Sequence, residues 1–260
     1  MTMVDAEVAQ RLVRSKPWHH DFEIVAGIRT RGAYDPRALW DELQLPASLQ
    51  GVSLADVGAS NGFFSFEARK RGARVVAFDY RHKDNSGFAL AQRINGLHDI
   101  EHHQVNVLDM TPEKYGQYDV VLALGLLYHT SDPYLALTNC AALARTRLLI
   151  ESYCLDATLP VSLRHEPLMR FISDPERFPE HGHLNHDRSN FWGFTSVCLR
   201  RMTEDVGFAV RRQRVHGDRV LIDADRVVDP DATRRYLAHG LVPAVPRGPD
   251  ADSPDAWTIF

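Results

Sequence analysis

The sequence predicts an α/β fold, because short apolar segments alternate with helical patterns between about residues 52 and 151. Two further observations favour this fold class: a glycine-punctuated turn follows the first apolar segment, and an acidic residue ends the second. Strands separated by helices form βαβ units. The sheet is therefore expected to be mostly parallel, with right-handed crossovers.

The composition suits either one large domain with a buried core or one domain with a small appendage. The chain has 260 residues, of which 44% are hydrophobic, enough for a sizeable buried core. No apolar run reaches the roughly eighteen residues of a membrane span, and the N-terminus lacks the order of a signal peptide. Cys140, Cys154 and Cys198 show no disulfide or metal spacing. A cytoplasmic protein with reduced thiols and no membrane partner is expected.

The charge argues against a nucleic-acid partner. The net charge is −4, whereas nucleic-acid binding draws on a dense patch of cations that faces the phosphates. The basic clusters at 200–201 and 211–214 are interpreted as solvated helix and strand faces. A small molecule is the expected partner, and the oligomeric state stays open between monomer and homodimer.

The first fifty residues precede the alternating region. Residues 3–14 predict a short amphipathic helix, residues 16–22 form an aromatic loop, and Asp35-Pro36 opens a second helix. We expect residues 1–50 to form a helical and aromatic segment that packs on the ligand site at the glycine-punctuated turn.

Regular elements then follow one another along the chain. Strands are expected at 53–57, 74–78, 103–107, 118–124, 147–151, 208–215 and 219–222. Helices are expected at 62–71, 86–95, 112–115 and 133–143, with a further one after Thr195 as its N-cap. Gly217-Asp218 suits a tight connection between the last two strands.

The alternation breaks over residues 155–194, which are rich in Pro, His, Asp, Arg and aromatic residues without a clear period. A stretch of this length without regular structure is unusual inside a compact domain unless it covers a site. We therefore expect an acceptor-side cap at 155–194, within a core domain over 51–240. Residues 241–260 are expected to be a flexible tail.

The turn from Asp56 to Gly62 favours a nucleoside ligand. Its glycines let the backbone approach a ligand, and the following helix offers free N–H groups. Asp79 is placed to accept hydrogen bonds from ribose hydroxyls. Ser60 replaces the second glycine of a dinucleotide fingerprint, and the bulky pair Phe63-Phe64 follows, which favours a ligand without phosphates over NAD.

Polar Asn106 follows the third strand, and Gly125-Leu126-Leu127-Tyr128-His129 follows the fourth. With these elements, residues 52–222 resemble the class I S-adenosylmethionine (SAM) methyltransferases. The resemblance implies a Rossmann-like doubly wound sheet of seven strands, mostly parallel, with an antiparallel terminal strand from the last strand pair. It also implies SAM as the cofactor and methyl transfer as the activity.

The resemblance implies roles for the turn residues. Asp56, Gly58, Ser60 and Gly62 would shape the turn against the amino-acid end of SAM, and Asp79 would bind the ribose hydroxyls. The alternatives are a tight turn without a ligand and a helix cap at Asp79.

Further cofactor residues follow from the same resemblance. Asn106 and Val107 would flank the adenine, although Asn106 could simply end a strand. Leu124 and Gly125 would line the floor beside the sulfonium, and Trp18 is assigned to the cofactor pocket.

Within the class, the nearest resemblance is to the bacterial tRNA wobble-uridine carboxymethyltransferase and its relatives. Pro17-Trp18 matches an upstream Pro-Trp element, and 125–129 with Pro133 matches the element after the fourth strand. Two positions depart from this group.

His19 and His20 stand where the group has a lysine for the carboxylate of carboxylated SAM. Ser189 precedes Asn190 where the group has an arginine, and Arg188 lies one residue further back. Both departures favour ordinary SAM and methyl transfer.

Catalysis requires alignment, exclusion of water and, for a hydroxyl acceptor, a base. His129, Tyr128 and His181 are the candidate catalytic residues. Tyr128 could instead form a wall of the cofactor pocket, and His129 could be a capping or packing residue. His181, His183 and His186 carry metal-binding donors, but their irregular spacing is more typical of solvated loop histidines, so no metal is expected.

Aromatic residues on both sides of the turn are candidates for stacking on a flat acceptor, with core packing as the alternative. They are Trp18, Phe22, Phe191, Trp192 and Phe194.

The sequence thus predicts a SAM-dependent methyltransferase of a small molecule, with O- or N-methylation in specialised metabolism. One alternative is a tRNA wobble-uridine modifying enzyme, which the acidic charge disfavours. Another is a non-catalytic SAM-binding module, which predicts a damaged turn where this one is intact.

Overall fold

The computed structural model describes residues 6–174, 176–177 and 187–227, and the structural statements concern these residues. The helices are α1 (Ala6–Arg14), α2 (Arg37–Glu42), α3 (Phe63–Lys70), α4 (Lys83–Ser86), α5 (Phe88–Asn95), α6 (Pro112–Tyr115), α7 (Pro133–Leu143) and α8 (Ser196–Asp205). The strands are β1 (Glu23–Val25), β2 (Ile28–Arg29), β3 (Ser53–Val57), β4 (Arg74–Asp79), β5 (Glu101–Gln104), β6 (Tyr118–Leu124), β7 (Ala144–Tyr153), β8 (Met169–Phe171), β9 (Trp192–Phe194), β10 (Phe208–His216) and β11 (Arg219–Arg226). Short 3₁₀ turns lie at Val107–Asp109, Leu127–His129 and Val161–Leu163.

The central sheet of the described chain has seven strands in the order β10-β11-β7-β6-β3-β4-β5. β3 to β7 pair in parallel, while β11 runs antiparallel to both β7 and β10. The predicted Rossmann-like, mostly parallel sheet with an antiparallel last strand is confirmed. The strand order reverses between β3 and β6, so their carboxyl ends flank the crevice where such sheets bind ligands.

Two hydrophobic clusters cover the two faces of the sheet. Successive residues of β4 alternate between them, with Val76 in one cluster and Val75 in the other. The first cluster includes Leu137 of α7 and Leu199 of α8. The second joins Phe66 of α3 to residues of α1 and α2. The N-terminal elements therefore pack on the same face as α3 and α5.

The helix predicted at 86–95 is interrupted. α4 ends at Ser86 and α5 begins at Phe88, because Gly87 between them has a φ of 86°. A Cβ at Gly87 would lie 3.0 Å from the indole of Trp18. The close packing of Trp18 thus explains the break, which helical periodicity does not reveal.

The third strand also differs from its predicted position at 103–107, because β5 spans Glu101–Gln104. As the edge strand of the sheet, β5 is only partly buried and its sequence is polar. Apolar content is therefore a poor guide to its bounds.

The segment predicted to be irregular contains a short antiparallel pair, in which Met169 of β8 pairs with Phe194 of β9. Leu155 N donates to Phe194 O at 2.8 Å, so the pair is tied to the end of β7. Thr195 caps α8 as predicted, since its side chain accepts from Cys198 N at 3.2 Å. The predicted tail at 241–260 lies outside the described residues.

In the described part of the chain, no helix is long and apolar enough to span a membrane. Cys140, Cys154 and Cys198 are buried free thiols.

Candidate active site

Three residues of the turn between β3 and α3 adopt the left-handed backbone region. Gly58, Ser60 and Gly62 have φ values of 84°, 51° and 89°. At Gly62 a Cβ would lie 2.6 Å from the ring of Phe88 and 2.7 Å from that of Phe66. Both the backbone conformation and the buried aromatic rings beneath it therefore require glycine at this position.

Asp79, at the end of β4, holds this turn. Its Oδ2 accepts from Ser60 N at 2.7 Å, and its Oδ1 accepts from Arg81 N at 2.8 Å. Arg81 Nη2 in turn donates to Ser60 Oγ at 3.0 Å. The N-cap of the next helix is His82, so the alternative that Asp79 caps that helix is wrong. Each Asp79 oxygen keeps a lone pair for a further donor.

Asp56 lies beneath the turn and is 2% exposed. Ser65 Oγ donates to its Oδ2 at 2.6 Å. Burial raises the pKa of Asp56 to about 6, and the charge of Asp79 adds to this effect. Asp56 is thus partly protonated in mildly acidic solution.

Replacing Asp56 by asparagine should change how stability depends on pH. The carboxyl pKa rises on folding from 3.8 to about 6. The stabilisation of the folded state by the protonated carboxyl is therefore complete below pH ~3.8 and is lost as pH rises through about 6. The free energy of unfolding of Asp56→Asn should rise relative to wild type by up to roughly 3 kcal/mol between pH 4 and 8. Urea titrations at several pH values measure this, with exposed Asp99→Asn as the control. Equal pH dependence in both variants would contradict it.

Asn61 connects three segments around the turn. Its Oδ1 accepts from the backbone N–H groups of His19 and His20 at 2.7 and 3.1 Å, and its Nδ2 donates to Ser86 O. The side chain is buried. Sequence analysis missed this role, since its partners are remote in the chain.

The N-terminal loop places Trp18 and His20 next to the turn. Trp18 Nε1 donates to Val13 O at 2.7 Å, and its ring packs edge-on against Phe22. The ring of His20 packs against Phe64, and burial lowers the pKa of His20 to about 3. A neutral His20 offers no cation for the carboxylate of carboxylated SAM. This agrees with the sequence comparison, in which His20 stands where the resembling group has a lysine.

The predicted stacking aromatics divide into two sets. Trp18, Phe22 and Phe194 are buried in the core, which agrees with the packing alternative. Phe191 is 36% exposed, and Trp192 lies edge-on to Phe171 with ring centroids 5.2 Å apart. Of the predicted stacking residues, Phe191 and Trp192 are therefore the two that are accessible to solvent.

The predicted adenine side follows β5. Asn106 is exposed and caps the 3₁₀ turn, because its Oδ1 accepts from Leu108 N at 3.0 Å. Val107 is buried beside it. Asn139 Nδ2 donates to the carbonyl of Val107 at 2.9 Å and anchors this turn to α7.

The end of β6 leads into a buried polar cluster. Leu124 is half-buried. Gly125 has a φ of 66° and lies close to Tyr128, since a Cβ at Gly125 would lie 3.3 Å from the Tyr128 hydroxyl oxygen. Arg219 Nη2 donates to this oxygen at 3.1 Å and to Glu151 Oε2 at 2.6 Å. Burial raises the pKa of Tyr128, so its hydroxyl is a neutral phenol at pH 7.

Neither Arg219 nor Glu151 was identified from the sequence. Leu221 pairs with Glu151 in the antiparallel register, so Arg219, two residues earlier on β11, shares a face of the sheet with Glu151. That register was the missing information.

His129 ends the 3₁₀ turn after β6. Its Nδ1 is 3.1 Å from Ser189 O and 3.0 Å from Ser189 Oγ. Burial lowers the pKa of His129, so the ring is neutral at pH 7. Gly58 on the turn faces Leu126, since a Cβ on Gly58 would lie 3.3 Å from it. The turn and the loop carrying His129 are therefore in contact where β3 and β6 end.

The third catalytic candidate, His181, lies outside the described residues, as do His183 and His186. Within the described ranges, no group of three His, Cys, Asp or Glu side chains is arranged to hold a metal ion.

Comparisons with known proteins point to methyltransferases. A family model described as a methyltransferase domain matches residues 29–213. A ubiquinone biosynthesis O-methyltransferase from Bordetella avium (strain 197N) is 33% identical over 105 residues, which cover 39% of this chain and 42% of that protein. A tRNA U34 carboxymethyltransferase from Helicobacter pylori (strain G27) is 25% identical over 158 residues, covering 59% and 60%. The chain thus spans between 42% and 60% of the length of these relatives.

Solved structures share the fold. The N-terminal domain of EvdMO1 with SAH bound superposes with a TM-score of 0.60 at 20% identity, covering 87% of this chain and 98% of that one. A 1,6-didemethyltoxoflavin-N1-methyltransferase from Burkholderia thailandensis gives a TM-score of 0.50 at 19% identity, covering 74% and 82%.

Proposed function

The chain belongs to the class I SAM-dependent methyltransferases, and from that premise we propose that it methylates a small molecule at oxygen or nitrogen. The observation that carries the proposal is the contact between the glycine turn after β3 and the loop that presents Tyr128 and His129, at the point where the strand order reverses.

The residues present fit SAM. Gly58 and Gly62 keep side chains away from the turn backbone, and the Asp79 carboxylate is fixed by two backbone donors with lone pairs to spare. The cationic Arg81 is paired with Asp79, which suits a ligand without phosphates. SAM, when bound, supplies an electrophilic methyl carbon.

In this mechanism the chain's own residues bind, orient and exclude water. Asp79 would bind the ribose hydroxyls, and the turn would receive the amino-acid end. Tyr128, fixed by Arg219, would line the crevice floor, and His129 would remove a proton from the acceptor.

A small acceptor is favoured over a nucleic acid by the charges at the crevice. Arg81 and Arg219 are ion-paired with Asp79 and Glu151, so their charges are balanced within the protein. The net charge of −4 points the same way. We further propose a role in specialised metabolism and a cytoplasmic location, which the buried free thiols support.

A tRNA wobble-uridine modification is the second candidate. The similarity to a tRNA U34 carboxymethyltransferase favours it. Ser189 and the neutral His20 stand where the resembling group has cationic residues that bind the carboxylate of carboxylated SAM. Their absence weighs against the carboxymethyl reaction.

Calorimetry and methyl-transfer assays separate these functions. We expect binding of SAM and none of NAD, followed by transfer of labelled methyl groups to one or more of a panel of phenols, sugars and amines. Absence of SAM binding would refute the proposal. Labelling of bulk tRNA, with none of the small acceptors, would replace it by the second candidate.

Asp79→Ala should weaken SAM binding by roughly 1–3 kcal/mol, because it removes charge-assisted hydrogen bonds to the ribose. Exposed Asp84→Ala, on α4, is the control and should bind SAM like the wild type. Calorimetry measures both affinities, and circular dichroism verifies that both variants are folded. An unchanged affinity in Asp79→Ala would show that Asp79 does not contact the cofactor.

A further inference from the structure

We propose that Ser189 and Asp187 of the capping segment fix the tautomer of His129, so that Nε2 of this histidine takes the proton of a hydroxyl acceptor. The inference rests on the proposed function and names its acceptor class. Ser189 and Asp187 act through His129 and are positioning residues.

The partners of His129 define which nitrogen carries the proton. Its Nδ1 lies 3.1 Å from the carbonyl oxygen of Ser189. A carbonyl oxygen only accepts hydrogen bonds, so Nδ1 must be the protonated nitrogen. In the neutral ring, the lone pair that can accept a proton is then on Nε2.

The hydroxyl of Ser189 reinforces this choice. Ser189 Oγ donates its proton to Asp187 Oδ1 at 2.7 Å, and Ser189 N donates to the same oxygen at 2.8 Å. The Oγ therefore faces His129 Nδ1, 3.0 Å away, with a lone pair. Both neighbours of Nδ1 are acceptors, so both favour the Nδ1–H form.

Backbone and side-chain bonds hold this segment against the loop after β6. Phe191 N donates to Tyr128 O at 2.8 Å, and Trp192 Nε1 donates to Ser131 O at 3.3 Å. Arg188, next to Ser189, is paired with Asp174 at 2.9 Å. Ser189 is thus placed opposite His129 by contacts on both sides of it.

Charged groups from four elements face His129. Burial has the largest effect and lowers its pKa, and Arg219 on β11 and Arg81 after β4 add to the lowering. His19 on the N-terminal loop also interacts electrostatically with His129. The carboxylate of Asp187 opposes them and raises the pKa of His129. It therefore stabilises the imidazolium that forms when Nε2 gains a proton.

This arrangement matches a hydroxyl acceptor. An amine attacks through its own lone pair while it keeps its protons, whereas an alcohol or phenol must lose its proton as it becomes a nucleophile. In the step, the O–H proton moves to Nε2 and an O–C bond forms to the methyl carbon. The C–S bond breaks, and its electron pair stays on sulfur.

The tautomer is measurable without an acceptor. Long-range ¹H–¹⁵N spectra of the full chain with labelled histidine, assigned by comparison with His129→Gln, should show His129 in the Nδ1–H form near pH 7.5. Ser189→Ala combined with Asp187→Asn should shift part of the population to Nε2–H. Finding the wild-type ring in the Nε2–H form would overturn the inference.

The pH profile of methyl transfer supplies the kinetic readout, with catechol and labelled SAM as the probe. Asp187→Asn should lower kcat about tenfold and move the acidic limb of kcat/KM to lower pH, because it removes a charge that raises the pKa of His129. Ser189→Ala should lower kcat in the same direction. Ser48→Ala and Asp99→Asn, both remote and exposed, should match the wild type.

The outcomes separate the two proposals. Wild-type transfer to catechol with unchanged profiles in both positioning variants would overturn this inference alone. No transfer by the wild type to catechol or to any acceptor of the panel would overturn the proposed function, and the inference with it.

Discussion

Replacing His129 by glutamine should lower kcat for a hydroxyl acceptor by about 10²–10⁴-fold, the usual contribution of a general base. Glutamine keeps a donor that can reach the Ser189 carbonyl, but it provides no basic nitrogen. The affinity for SAM should stay within about twofold, because the cofactor contacts are assigned to the turn and Asp79. A fall in kcat without a change in SAM binding separates the base from a binding residue.

The control is His98→Gln. His98 is an exposed histidine between α5 and the edge strand β5. Its kcat should equal that of the wild type. Activity of His129→Gln should recover in part at high pH with catechol, whose hydroxyl ionises there without help. A kcat within a factor of three of the wild type would show that His129 is not the base.

The sheet was largely predictable because its central strands are buried on both faces. β3 and β6 have the predicted bounds, and all five residues of β3 are buried. Continuous apolar runs of this kind are typical of parallel strands covered by helices. The helix α7 also has its predicted bounds, since Asp132 and Pro133 mark its start.

The turn that carries the candidate cofactor residues was predictable, because its local sequence sets its conformation. Gly58, Ser60 and Gly62 all adopt positive φ values, and Asp79 closes the turn through Ser60. The turn and Asp79 belong to one βαβ unit, so sequence order was sufficient to predict both features, while the hydrogen bond that joins them was learned from the structure.

The groups that fix the crevice were not predictable, because each depends on a contact between distant parts of the chain. Arg219 reaches Tyr128 and Glu151 only through the register of β11 against β7. Ser189 meets His129 only because residues 189–192 pack against the loop after β6. Periodicity describes the faces of one element and carries no information on such pairs.

Asn61→Ala should lower the free energy of unfolding by about 3–5 kcal/mol, since it leaves two backbone N–H groups and one carbonyl without their partner. The side chain is 1% exposed, so water cannot easily replace these bonds. Urea unfolding measures the loss, and Asn85→Ala, an exposed residue on α4, is the matched control with an expected change below about 0.5 kcal/mol.

The loss should be concentrated where the N-terminal loop meets the turn. Asn61 accepts from both His19 N and His20 N, so these two amides should exchange hydrogen much faster in the variant, while amides of β3 change only with global stability. Because these bonds join the loop to the glycine turn, a loosened loop should also disturb the turn, so SAM should bind more weakly. If the His19 and His20 amides stay protected in Asn61→Ala, the loop is held by its aromatic packing, and Asn61 is not its anchor.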